Sequence, residues 1–199
     1  MSADVDAGAG SGCVADPGTV RLRYAALLRG INVGRGNRVA MADLRGVLAG
    51  LGLTDVATLL NSGNAVFTAP EEAREHIALR IRAALRETLG LDVTVVVVER
   101  RDVEAALAAD PLADPQRDPS RNLIAFLSHA ADANRLASLS ETDWAPEAFA
   151  PGTRVAYLWC PDGVSTSPLA LALGRTMGDT VTVRNVATVA KIAQLMGNI

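Results

Sequence analysis

The chain has 199 residues, of which 49% are hydrophobic and 21% charged, with a net charge of −3 and a pI near 5.4. That is an ordinary globular balance, enough for one large domain or two small ones, and its acidity weighs against bulk-charge binding of nucleic acid or an anionic membrane without excluding a local basic patch. Two separated cysteines, Cys13 and Cys160, and two isolated histidines, His76 and His129, give no disulfide framework and no zinc site, and no apolar run reaches the roughly 20 residues that span a bilayer.

Residues 1–20 are small, acidic and glycine-rich, without the basic start and apolar run of a secretion signal, and read as the disordered leader of a cytoplasmic protein. Tyr24 to Arg29 suits a strand, followed by a loop from Gly30 to Asn37. Met41, Leu44, Leu48 and Leu51 recur at helical spacing, with Gly50 and Gly52 as the stop. Val56 to Leu60 and Ala65 to Thr68 read as strands joined by the tight turn Ser62-Gly63-Asn64. Ile77, Ile81, Ala84, Leu85 and Leu89 make a helical stripe, and Val93 to Val98 is the valine run of a buried strand. The order β-α-β-β-α-β is the ferredoxin-like pattern.

A linking helix over 102–109 and a polar loop over 110–121 come next, and the order then repeats. Leu123 to Leu127 reads as a strand and Asp132 to Leu139 as a short helix; Glu147 to Ala150 and Thr153 to Cys160 read as a hairpin across Pro151-Gly152. Ser167 and Pro168 start a helix as cap and first-turn residue. Thr180 to Val183 gives a last strand, and Asn185 caps a closing helix with Val189, Ile192, Ala193 and Met196 on one face. The expected fold class is α+β: two tandem ferredoxin-like units, 21–98 and 122–199, with a linking segment over 99–121 and a C-terminal helix.

In this topology the first and second strands run parallel, so the loops that follow them leave from one edge of the sheet. Gly30, Asn32, Gly34 and Asn37 should therefore sit beside Ser62, Gly63 and Asn64, flanked by Arg29, Arg35 and Arg38. Glycine and asparagine tolerate positive φ, and turns of that kind can aim several backbone N–H groups into one concavity suited to phosphate or carboxylate. The competing reading is structural: the glycines shape a tight strand-to-helix connection, and the asparagines satisfy it by local hydrogen bonds. Gly30-x-x-x-Gly34-x-Gly36 matches neither the dinucleotide fingerprint nor the phosphate loop.

The second unit groups Asp162, Gly163 and Ser165 with Arg184 and Asn185 by the same logic, and places Thr188 and Lys191 in the first two turns of the closing helix. A turn and a helix cap explain these residues equally well. Lys191 is the only lysine, which fits either an arginine-favouring composition or a lysine kept for its compact ammonium. Whether the two edges face each other does not follow from the sequence.

No serine or histidine sits in a nucleophile constellation, and Asp43, Asp55 and Glu141 read as surface or cap residues. Tyr24, Phe67, Trp144 and Trp159 read as packing residues, too few for a base-stacking sheet.

Arg29-Gly30-Ile31-Asn32-Val33-Gly34, with Asn37, Met41, Leu44 and Arg45, resembles the bacterial family catalogued as domain of unknown function 1697. Ser62-Gly63-Asn64 with Val66-Phe67, and Arg184-Asn185 with Thr188 and Lys191, match its other hallmarks. The chain departs from the family's usual residues at Arg35, Asn61 and Val186, where glycine, glutamine and an aromatic are common. The resemblance implies an α+β fold with ferredoxin-like halves and no activity.

Two functions of different class fit. One is a binding protein for a phosphorylated or carboxylated small molecule, with Arg29, Arg35 or Arg38 supplying charge and Asn32 and Asn64 hydrogen bonds; an enzyme built on this site has no nameable nucleophile or base. The other is a non-catalytic interaction module for protein or, against the acidic pI, nucleic acid, which would expose an apolar or aromatic sheet face. No cofactor, metal or membrane contact is expected, and the oligomeric state is left open.

Overall fold

The computed structural model describes residues 20–32 and 36–197. Of the disordered leader expected over 1–20, residues 1–19, with Cys13, lie outside the described residues, as do Gly34 and Arg35 of the first loop.

The architecture is α+β, with two four-stranded antiparallel sheets and six α-helices among the described residues. The first half runs β1 (Arg21–Leu28), α1 (Met41–Gly50), β2 (Thr54–Leu59), β3 (Asn64–Pro70), α2 (Arg74–Leu89) and β4 (Val95–Glu99). Helix α3 (Arg100–Ala108) connects it to β5 (Asn122–Leu127). A 3-10 turn (Ala130–Leu136) and the one-turn α4 (Ala137–Ser140) take the place of the helix expected over 132–139. Only Leu136 and Leu139 are buried there, too little apolar surface to hold a longer helix against the sheet. The chain closes with β6 (Ala148–Pro151), β7 (Val155–Trp159), α5 (Pro168–Met177), β8 (Val181–Asn185) and α6 (Val186–Gly197).

Strand order is β2-β3-β1-β4 in one sheet and β6-β7-β5-β8 in the other. Because β1 and β2 both run antiparallel to β3, they are parallel to each other, and the loops after them share an edge. For the same reason β7 and β8, each antiparallel to β5, end together.

The valine run of β4 is explained by burial on both faces of its sheet. Val95 and Val97 join a core beneath α1 and α2, while Val96 and Val98 join a central core with α3 and α6. Strand β1 divides likewise, with Tyr24, Ala26 and Leu28 on one side and Ala25 and Leu27 on the other. In the second sheet, Ile124, Phe126 and Tyr157 face the same central core, and Leu123, Ala125 and Leu158 face a third one under α5. The central core therefore draws on both halves, with Val189, Ile192 and Met196 of α6 set into it at helical spacing.

Tyr24 and Phe67 are fully buried and stack at 5.9 Å between ring centroids, as packing residues. Trp144 Nε1 donates to Leu139 O at 2.8 Å, and Arg117 lies 4.6 Å over the Trp159 ring. No helix among the described residues is long and apolar enough to cross a membrane.

Candidate anion-binding cleft

Arg184 stands near the end of β8, one residue before Asn185, whose Oδ1 accepts from Thr188 N at 2.8 Å and caps α6. From there its side chain crosses to the edge of the other sheet. Nε donates to Asn64 Oδ1 at 2.5 Å; Nη2 donates to Leu28 O at 2.6 Å, Ser62 O at 3.1 Å and Gly63 O at 3.3 Å. Nη1 turns back to its own strand, donating to Thr182 Oγ1 and Val183 O. Burial lowers the guanidinium pKa to about 10, so it stays charged at neutral pH. No carboxylate among the described residues pairs with it, and its charge is met only by neutral oxygens.

The sheet edge that receives Arg184 is shaped by its glycine and asparagines. Gly63 has φ of 78°, and a Cβ there would stand 2.8 Å from Leu28 Cβ and from Ile31 side-chain atoms, so only glycine fits. Asn64 is buried, and its Nδ2 donates to Leu59 O and Ser62 Oγ. Asn32, at φ of 55°, closes the first loop: Nδ2 donates to Val39 O at 2.9 Å and Asn61 O at 2.8 Å, while Oδ1 accepts from Val39 N. Asn37 Nδ2 donates to Gly30 O at 3.4 Å. The amides of Asn32 and Asn64 thus hold the two loops in place.

Arg29 also reaches across to the other half. Its Nη1 donates to Gly178 O and to Val181 O, the latter at 3.3 Å, and lies 3.8 Å from Asp179 Oδ1. Asp179 is 88% exposed, so water screens this ion pair. The Arg29 charge stands between the halves rather than inside the concavity of the first loop.

Arg29, Gly30, Ser62, Arg184, Asn185 and Thr188 line a cleft of about 520 Å³. No acidic side chain lines it among the described residues. Its remaining wall comes largely from α5, β5 and β8, including Ala170, Leu173, Gly174 and Thr182, with Ser120 and Val164 from loops. The two edges grouped in the sequence therefore do face each other. Asn32 and Arg38 line a separate shallow depression with Val39, Ala40, Met41 and Asn61. Lys191 is exposed on α6 and lines neither. Asp162 and Gly163 form a turn, with Gly163 N donating to Cys160 O at 2.9 Å, next to Val164 at the cleft rim. Asp43, Asp55 and Glu141 are exposed and away from the cleft.

Thr182 and the small face of α5 were missed by the sequence reading. The available signal was Gly174, a glycine inside the apolar helix Pro168–Met177. Among the described residues no group of three or more His, Cys, Asp or Glu side chains is placed to hold a metal ion.

A family model described as "Protein of unknown function (DUF1697)" matches residues 22–157, a span that includes the first loop and the Ser62–Asn64 turn and ends before Arg184. No curated protein matches the chain. Among solved structures, the conserved bacterial protein SP0830 from Streptococcus pneumoniae is similar, with 26% identity and a TM-score of 0.70 over 89% of this chain and 99% of that one.

Proposed function

The chain belongs to the DUF1697 family of proteins of unknown function, and we propose that it binds an anionic small molecule, carboxylated or phosphorylated, in the cleft between Arg29 and Arg184. The supporting observation is the charge balance: two guanidiniums line one concavity whose described walls carry no carboxylate, and the one acid beside them, Asp179, is solvent-screened and stands outside it. The start of α6, where Asn185 and Thr188 reach the cleft, adds the favourable end of a helix dipole. Arg184 acts through its field, since its donors are occupied, and Arg29 is the residue that touches the ligand. We place this activity in the cytoplasm.

We also read each half, 21–98 and 122–199, as a ferredoxin-like unit joined by the segment 99–121. The repeated strand orders β2-β3-β1-β4 and β6-β7-β5-β8 support this reading.

The interaction-module alternative needs an exposed apolar sheet face. Both sheets are covered on both sides, and the exposed large hydrophobics Val20, Leu60, Leu79, Val164 and Leu171 lie on different segments.

A thermal-shift screen of carboxylates, phosphate esters, nucleotides and short oligonucleotides tests the proposal. A ligand at a hundred times its dissociation constant stabilises the native state by about 2.7 kcal/mol. A shift confined to anions and lost in folded Arg29→Ala supports the cleft; a shift that survives Arg29→Ala, or a panel without any, overturns it.

A further inference from the structure

We infer that the ligand is an amphipathic carboxylate, its anionic head set against Arg29 and its apolar body lying along α5 and β8. This rests on the anion-binding reading above and adds the chemistry of the ligand's body.

The head follows from which nitrogens remain uncommitted. Arg184 cannot clamp a ligand, because Nε, Nη1 and Nη2 all donate to protein oxygens. Arg29 is held through Nη1 alone. Its Nε and Nη2 have no acceptor among the described residues, and these two nitrogens form one edge of the guanidinium. That edge matches both oxygens of a single carboxylate. The contacts at Nη1 fix the plane of the group, so the fork is ordered before a ligand arrives. Arg184 offers no second guanidinium fork for a phosphate dianion, so the one uncommitted fork favours a carboxylate.

The body follows from the rest of the cleft. Leu28, Ile31, Leu123, Leu173, Val181 and Val183 all line it. Of these Leu173 comes from α5, whose other lining residues are the small Ala170 and Gly174, one helical turn apart. Glycine inside a helix is destabilising relative to alanine, and packing does not require it here: a Cβ at Gly174 would meet no atom within 4 Å. What the glycine preserves is open space beside an apolar wall. Hydroxyls of a sugar phosphate set against these apolar side chains would gain no hydrogen bond from them, whereas an alkyl or aryl body would remove apolar surface from water.

Titration calorimetry of the full chain with octanoate, octanamide, acetate and inorganic phosphate tests this. Octanoate should bind at least about tenfold more tightly than acetate or octanamide. Gly174→Leu, with its fold verified by circular dichroism and its Cβ in open space, should weaken octanoate at least about tenfold and leave the acetate response unchanged. Arg29→Ala, with its fold verified by circular dichroism, should erase the difference between octanoate and octanamide. Equal binding of octanamide overturns the carboxylate head, and octanoate binding unaffected by Gly174→Leu overturns the placement of the body. Failure of octanoate to bind overturns the inference altogether. If acetate or phosphate then binds in an Arg29-dependent manner, the anion-binding reading stands without it; if nothing in the wider anion panel binds, both fall.

Discussion

Arg184 Nε donates to Asn64 Oδ1 across 2.5 Å, joining residues 120 positions apart and the sheets of the two halves. The same guanidinium gathers Leu28 O and Ser62 O, so one side chain fixes the end of β1 and the turn after β2 against β8. Asn64 is committed in return, its Nδ2 bound to Leu59 O and Ser62 Oγ.

Removing either member should therefore cost more than a surface bond. Arg184→Met keeps the stem and removes a buried cation, which relieves desolvation, but it strips donors from Asn64 Oδ1 and the Leu28 and Ser62 carbonyls. The unsatisfied acceptors should outweigh the relief, for a net loss of about 2–3 kcal/mol. Arg184→Lys should recover little, since an ammonium has three donors and no planar fork. Urea unfolding of Arg184→Met, Asn64→Ala and the double variant should give a coupling energy of about 1–2 kcal/mol. Additive losses would mean the two residues act separately.

Gly63 and Gly30 both adopt positive φ, 78° and 68°, but their surroundings differ. A Cβ at Gly63 meets Leu28 and Ile31 at 2.8 Å, whereas one at Gly30 meets nothing within 4 Å. Gly30→Ala should pay only the left-handed backbone cost, about 1–2 kcal/mol. Gly63→Ala adds overpacking against two buried side chains, bringing its loss to about 3 kcal/mol or more. Equal losses by chemical denaturation would show that the turn relaxes around the new methyl.

These residues also mark how much the sequence could disclose. The valine run Val93 to Val98 announced a buried strand, and in β4 alternate valines do enter different cores. Asn185 and Ser167 announced helix starts, because capping is local chemistry within three residues. The shared edge of Gly30 and Ser62–Asn64 followed from strand direction alone. The partners of Arg184 did not: Leu28, Ser62 and Gly63 offer backbone carbonyls, which carry no residue identity, from 121 to 156 positions away. Nothing in either half's periodicity sets its register against the other half, so the direction of Arg29 and the cleft itself were invisible.

Cys160 is fully buried, and its Sγ lies 3.2 Å from Ser167 Oγ, the side chain that caps α5. Burial raises the thiol pKa, outweighing the Ser167 hydrogen bond that lowers it. The peptide carrying Cys160 should therefore resist maleimide at pH 8 in the native protein and label only when denaturant unfolds the chain. Rapid native labelling of that peptide would show that the strand end opens locally.

Glu75 on α2 and Arg154 ahead of β7 form another tie between the halves, Nη2 to Oε1 at 3.1 Å. Burial alone would raise the Glu75 carboxyl, but its own backbone hydrogen bond and Arg154 together hold it below the usual carboxylate value. A depressed folded pKa contributes stability above the unfolded value of about 4.3, and that contribution is lost as pH falls through the folded one. With both side chains roughly a third exposed, at 32% and 27%, screening limits the pair to about 0.5–1 kcal/mol. Glu75→Gln should thus be less stable than wild type by that amount at pH 7, with the gap closing as pH falls below the unfolded value and through the lower folded one. Arg154→Met should give the same pH-dependent gap. A difference that persists unchanged to pH 3 would assign the Glu75 effect to packing and remove the charge pair from the account of how the halves are joined.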